Sequence, residues 1–244
     1  MLHKPVQLSI TALTRMMAKQ RLGPPHLAIK AAPMYMNLDA DREADAEMWA
    51  EFKALDLVDR RSRLDGDALD SLSLLARPAN EYFAHFIEDG RRLSALVASG
   101  SADGEAVLAF RNGDIVELRS LRQESLPETL LRQLPDAAPA RVDSLNVRLE
   151  DLRRGGGSGH GAQDVHKFKR LTEEPITGQG ELYVAVRDYY GEYSSNKDNP
   201  VRYEDRASGR VIVTLSRGGY LSVAPATKRL LLDRLNEVRR DIAG

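Results

Sequence analysis

No cysteine occurs in the 244 residues, which excludes disulfides, thiolate nucleophiles, iron-sulfur clusters and cysteine-based zinc sites. Neither sign of charge is in excess. The 35 Lys and Arg nearly cancel the 36 Asp and Glu, so the chain lacks the positive field that drives non-specific binding to nucleic acid or anionic membranes. No apolar run approaches the roughly 20 residues that span a bilayer. The opening segment, MLHKPVQLSITALTRMMAKQ, lacks the continuous apolar stretch and small-residue cleavage site of a signal peptide. These absences predict a protein of the cytoplasm with no membrane span and no nucleic-acid partner. What remains, 42% hydrophobic and 29% charged residues, is the composition of a folded soluble chain with ample length for a core.

Periodicity predicts one amphipathic helix over Val6 to Leu22, stopped by Gly23-Pro24-Pro25, and then a short edge strand over His26 to Lys30. Helices follow from Asp39, with Ala44, Met48, Phe52 and Leu55 on one stripe, and from Asp67 to Ala76. Between residues 81 and 119 the pattern shifts to short alternating runs, an antiparallel meander whose Asp89-Gly90 and Asn112-Gly113 pairs suit type I′ hairpin turns. A helix is expected at Pro127 to Leu134, then a short strand with a helical turn within Val142 to Leu152, and another helix at Asp164 to Leu171. Strand patterning returns at Glu181 to Arg187, Arg210 to Leu215 and Tyr220 to Val223, and a helix closes the chain from Ala226 to Ile242. Tyr189 to Ser208 reads as a long polar loop.

Five glycines within residues 155–161 mark a connector at 153–161, and divide the chain into expected halves of 1–152 and 162–244. The halves resemble each other. An offset of 105 residues aligns GEAVLAFRNGDIVELRS, from Gly104, with GRVIVTLSRGGYLSVAP, from Gly209, and in both halves a strand precedes and a helix follows the hairpin. The expected fold class is α+β: two subdomains related by a pseudo-twofold axis, with a central antiparallel sheet and flanking helical bundles.

Catalytic signatures are missing. Gly156-Gly157-Ser158-Gly159-His160 carries histidine where a nucleophile elbow needs glycine, and the same run lacks the Lys-Ser/Thr of a phosphate loop. His160 and His166 do not share a helical face with metal-ligand spacing, and Asp65, Asp67 and Asp70 lack a calcium loop's terminal glutamate. His85 reads as a hydrogen-bonded sheet histidine. The reading is a protein without enzymatic activity, metal or cofactor. Binding surfaces are better supported, because antiparallel sheets often keep one face wet. Tyr183, Ala185 and Arg187 alternate against Leu182, Val184 and Val186, and Tyr220 and Ser222 against Leu221 and Val223. Tyrosine and arginine on an open face suit a protein interface, to which Tyr189, Tyr190, Tyr193 and Tyr203 add contact area.

The stretch GRVIVTLSRGGYLSVAP, with its glycine turn, its exit at Val223-Ala224-Pro225 and the amphipathic helix after it, resembles the end of the EspG family. Leu57-Val58-Asp59 and the leucine-rich passage ending Leu74-Leu75-Ala76-Arg77-Pro78 resemble the family's N-terminal half, with Asp56-Leu57 in place of the usual Gly-Leu. The resemblance implies a cytoplasmic chaperone of type VII (ESX) secretion, without a nucleotide cofactor, that shields the helical tip of the PPE subunit in a PE/PPE heterodimer. Transferred by element, it implies contacts at Tyr183, Arg187, Thr214, Tyr220, Ser222, Lys228 and Arg229, with the client's tip packed on the sheet and the Tyr189 to Ser208 loop adjusting to it. The alternatives are a regulatory or scaffold domain that binds another protein through its sheet face, and a hydrolase whose site is dispersed along the chain.

Overall fold

A computed structural model describes residues 1–31, 37–101, 104–122, 125–154, 160–216 and 218–243. In chain order the elements are β1 (Val6–Ser9), α1 (Ile10–Lys19), a 3-10 turn (Leu27–Ile29), α2 (Leu38–Ala54), α3 (Gly66–Ala76), β2 (Asn80–Glu88), β3 (Arg91–Ser99), β4 (Glu105–Asn112), β5 (Ile115–Arg122) and α4 (Leu126–Leu131). A second series follows: β6 (Leu145–Arg148), α5 (Leu149–Arg153), α6 (His160–Glu173), β7 (Ile176–Arg187), β8 (Tyr193–Ser195), β9 (Val201–Arg206), β10 (Gly209–Leu215), β11 (Tyr220–Pro225) and α7 (Lys228–Ala243). The strands join one antiparallel sheet in the order β1-β5-β4-β3-β2-β7-β9-β10-β11-β6, with β8 also on β7. The architecture is the expected α+β: in each series an edge strand and helices precede a meander, and a helix follows it. The two meanders meet at β2 and β7, paired through Phe83 and Tyr183.

Alternation along the strands gives the sheet two faces. On one, Phe83, Leu96, Ala98, Val107, Ala109, Val116 and Leu118 pack under α1, α2 and α3 through Leu13, Met16, Met17, Met48, Phe52, Leu72 and Leu75. Farther along the same face, Val211 and Val223 pack under α6 at Leu171 and Phe168. On the other, Tyr82, Ala84, Phe86, Val97, Leu182, Val184, Tyr203 and Ile212 pack against α4 and α7 through Leu130, Leu131, Leu231 and Leu235. The faces are called the cleft face and the α7 face below.

Several expectations are corrected. Val6 does not begin a helix: Val6 to Ser9 pair with β5, and Ser9 caps α1 by accepting from the Ala12 N–H. Glu51 of α2 then accepts from both the N–H and the hydroxyl of Ser9, which covers part of this sheet edge. His26 to Lys30 is not a strand but the 3-10 turn, fixed by the Ala28 N–H donating to His26 Nδ1 (3.1 Å). Asp89 and Gly90 hold the expected left-handed pair, φ 48° and 76°. The second hairpin is shifted by one residue: Asn112 pairs with Ile115, so Gly113 and Asp114 form the turn. Tyr189 to Ser208 is not all loop but carries the strands β8 and β9. The ladder lapses between them, and Asn196 stands in for the missing peptide by accepting from the Val184 N–H at 2.8 Å. β6 pairs with β11 and packs with α6, so the glycine-rich run joins two elements of the same C-terminal block instead of separating the halves. Ser158 and Arg217 lie outside the described residues.

Candidate partner-binding surface

Between the helical layer of the first half and α6, the described residues leave the cleft face uncovered. The 3-10 turn forms one wall with Leu27 and Ala28, and the floor crosses β3, β2, β7 and β9. The cleft encloses about 720 Å³. Register sets which side chains rise from this floor: His85 opposite Glu181, Glu181 opposite Arg202, and Ile87 opposite Arg92 and Gln179. Arg111 flanks it, held by donating to the carbonyls of Gly113 (2.8 Å) and Lys30 (2.9 Å).

The polar groups of the floor are largely paired with one another. Glu181 accepts from Tyr183 Oη (2.6 Å) and Arg202 Nε (2.9 Å), which together hold its carboxyl below the usual carboxylate range. Burial, and then Glu181, pushes the Tyr183 hydroxyl up to about 12. The Tyr183 ring stacks on Phe83, centroids 4.7 Å apart and 8° from parallel. The hydrogen bond expected for His85 is not made at Nε2, which is buried without a partner; burial depresses its basicity, opposed by Glu181 and reinforced by Arg111. At the far end of the same face, Glu81 is 2% exposed. Burial raises its carboxyl, while a hydrogen bond from Tyr193 Oη and the charge of Arg187 act to lower it. His26 reaches toward Glu81 with Nε2 at 3.7 Å. Because His26 Nδ1 accepts from a backbone N–H, the neutral ring carries its proton on Nε2, and burial followed by the field of His85 pushes the group down to about 4. At neutral pH the imidazole is therefore neutral, and this contact is not an ion pair.

The expected contact residues do not form one surface. Tyr183 and Arg187 stand on the cleft face; Tyr183 is half-buried, and Arg187 lies 5.0 Å over the Tyr193 ring. Thr214, Tyr220 and Ser222 stand on the α7 face, on the outer strands, where Thr214 opposes Ser222 and Tyr220 takes the Arg148 guanidinium at 5.5 Å. Lys228 and Arg229 open α7, beyond the end of β11 opposite to Tyr220, paired with Asp136 (3.1 Å) and Asp233 (3.8 Å). Tyr203, expected as contact area, is 1% exposed and belongs to the core, whereas Tyr189 and Tyr190 are 96% and 87% exposed. The cleft residues His85, Arg92, Arg111 and Arg202 escaped sequence reasoning, for only the alternation of Phe83, His85 and Ile87 hinted at them.

Among the described residues no group of three or more His, Asp or Glu could hold a metal ion, and no helix is long and apolar enough to cross a membrane. A sequence model of the EspG family matches residues 9–237, and the chain belongs to that family. Its fold is similar to that of the Mycobacterium tuberculosis type VII secretion system chaperone EspG5, solved in complex with the PE25–PPE41 dimer. That similarity has a TM-score of 0.69 at 14% identity and covers 96% of this chain and 95% of the other. No curated protein sequence matches the chain.

Proposed function

We propose that this protein is a cytoplasmic chaperone of a type VII secretion system, without catalytic activity, that binds and shields the helical end of a PE/PPE-like pair. The observation that carries the reading is the family match over residues 9–237, and the likeness of fold to a chaperone solved with such a pair supports it. The cleft supplies a seat of suitable size. Four strands at about 4.8 Å spacing make a floor roughly 15 Å across, wide enough for the ~10–12 Å end of one helix of the pair but not for two helices side by side. Apolar contact falls to Leu27 and Ile87. Arg92, Arg111, Arg202 and Glu204 form a polar rim that discriminates among clients by charge. Tyr183 supports this seat by donating to Glu181, whereas Arg187 lies farther along the same face, against Tyr193. Thr214, Tyr220, Ser222, Lys228 and Arg229 belong to a different surface, and one client end cannot rest on both faces at once.

Co-expression with a PE/PPE pair, followed by size-exclusion chromatography with light scattering, is expected to yield a stable complex of one chaperone with one pair. Failure to form a complex with any such pair would overturn the reading. Arg202→Glu in the cleft is expected to weaken that complex by roughly tenfold or more, while Tyr220→Ala with Ser222→Arg leaves it intact. The reverse pattern would move the seat to the α7 face.

A further inference from the structure

The hairpins β2–β3 and β7–β8 occupy corresponding places in the two halves, yet they close differently. Asp89 and Gly90 suffice to close the first. The second carries five residues, Asp188 to Glu192, between Arg187 and Tyr193. These extra residues are ordered by their own hydrogen bonds: the Asp188 N–H donates to the Glu192 carbonyl (3.0 Å), the Gly191 N–H to the Asp188 carbonyl (3.0 Å), and the Glu192 N–H to Asp188 Oδ1 (2.8 Å). Gly191 supplies the left-handed residue, φ 86°, and Arg187 clamps its carbonyl at 3.2 Å. A loop so determined nevertheless leaves its two largest side chains in water. The rings of Tyr189 and Tyr190 lie edge to face, 5.6 Å apart, and are almost fully exposed among the described residues.

Closing the sheet needs neither the extra length nor the rings, and a pre-ordered loop with exposed aromatics has the properties of a contact anchor: large area at small entropic cost. The charges around it select the partner's chemistry. Asp188 and Glu192 are the only charged residues of the tip, and the neighbouring Arg187 is turned back onto the Tyr193 ring. That internal pair, 5.0 Å from guanidinium to centroid, shows the kind of stacking these tyrosines can offer.

Resting on the chaperone reading, we propose that the Asp188–Glu192 tip is a second anchor for the client, taking an arginine or lysine of its helical end, with flanking aliphatic atoms, against Tyr189, Tyr190 and the two carboxylates. The test measures affinity of the purified chaperone for a PE/PPE pair that binds it, by calorimetry, alongside thermal unfolding. Tyr189→Ser with Tyr190→Ser is expected to raise Kd by roughly 10- to 100-fold with unchanged melting temperature, because neither ring is buried. Tyr189→Phe with Tyr190→Phe keeps the rings and is expected to bind nearly as the parent does, while Glu192→Lys weakens binding most at low salt. Wild-type affinity in the double serine variant overturns the proposal and leaves the chaperone reading intact. If the parent chain binds no PE/PPE pair, both fall together. Loss of self-association in the double serine variant without loss of client affinity assigns the tip to a second copy of this chain and likewise overturns it.

Discussion

Gly180→Ala tests the packing at the centre of the sheet. Gly180 lies in β7 between Phe86 of β2 and Tyr203 of β9, at the strand pairing that unites the two halves. Its backbone is ordinary extended chain, so alanine is conformationally permitted and the freedom lost by the unfolded chain favours the variant by about 0.4–1 kcal/mol. The space is already taken: a Cβ at this position would meet Tyr203 Cε1 at 2.4 Å, Cζ at 2.7 Å and Oη at 2.8 Å. The ring cannot swing away cheaply. It is 1% exposed, and Arg210 covers it at 4.2 Å while holding both oxygens of Asp205 at 2.6 and 2.8 Å. Overpacking of this kind costs about 1–3 kcal/mol, with the upper half of that range expected beside a clamped ring. For a chain of this length the melting temperature should fall by roughly 3–10 °C. Urea unfolding of the single variant, of Tyr203→Ala and of the double variant completes a cycle in which Gly180→Ala is nearly free once the ring is gone. A single variant as stable as the parent, or a cost that persists without Tyr203, would falsify the argument.

Tyr203→Phe removes a buried hydroxyl that has no partner, and equilibrium unfolding should find it neutral or slightly stabilising. Asn196→Ala strips the Val184 N–H of its acceptor inside the sheet and should cost about 1–3 kcal/mol; a loss below a few tenths would show that water replaces the side chain. His26 is pushed down to about 4 by burial, so between that value and its ordinary 6.5 the unfolded chain binds the extra proton and stability falls as pH falls, by about 3 kcal/mol across the window. His26→Asn should flatten this slope in urea midpoints, and a parent chain equally stable throughout that interval would refute the assignment. Glu81 acts in the opposite sense: its raised carboxyl opposes folding once ionised, so the stability of Glu81→Gln relative to the parent should increase as pH rises above the usual carboxylate range.

Periodicity located most elements because their apolar residues repeat at distances that local geometry imposes. Where it failed, the deciding interaction was remote. Val6, Leu8 and Ile10 alternate like a strand, whereas Ile10, Leu13 and Met17 recur like a helix; pairing of Val6 to Ser9 with β5, over a hundred residues away, settles the division at Ser9. VRYEDR in β9 looks like a polar loop, yet its charges are matched inside the fold, Asp205 by Arg210 and Glu204 by Arg206 at 2.6 Å. The surface was less legible than the fold. Alternation correctly separated Tyr183 from Val184 and Tyr220 from Leu221, but only cross-strand register tells that Tyr183 and Tyr220 face opposite ways. The cleft escaped for the same reason, since its floor draws one or two side chains from each of several strands.

The meeting of β2 with β7 also bears on how the protein is made. Phe83 and Tyr183 are neighbours in space and 100 residues apart along the chain. At a synthesis rate of about 5–20 residues per second, β2 waits roughly 5–20 s after leaving the ribosome before its partner strand exists. During that interval Tyr82-Phe83-Ala84-His85-Phe86-Ile87 is an unpaired, uncharged edge of high strand propensity, the kind of segment that recruits other chains. A molecule proposed to shield the helical end of its client thus passes through a stage in which its own central strand needs cover, and slowing translation downstream of Leu134 should lower its soluble yield.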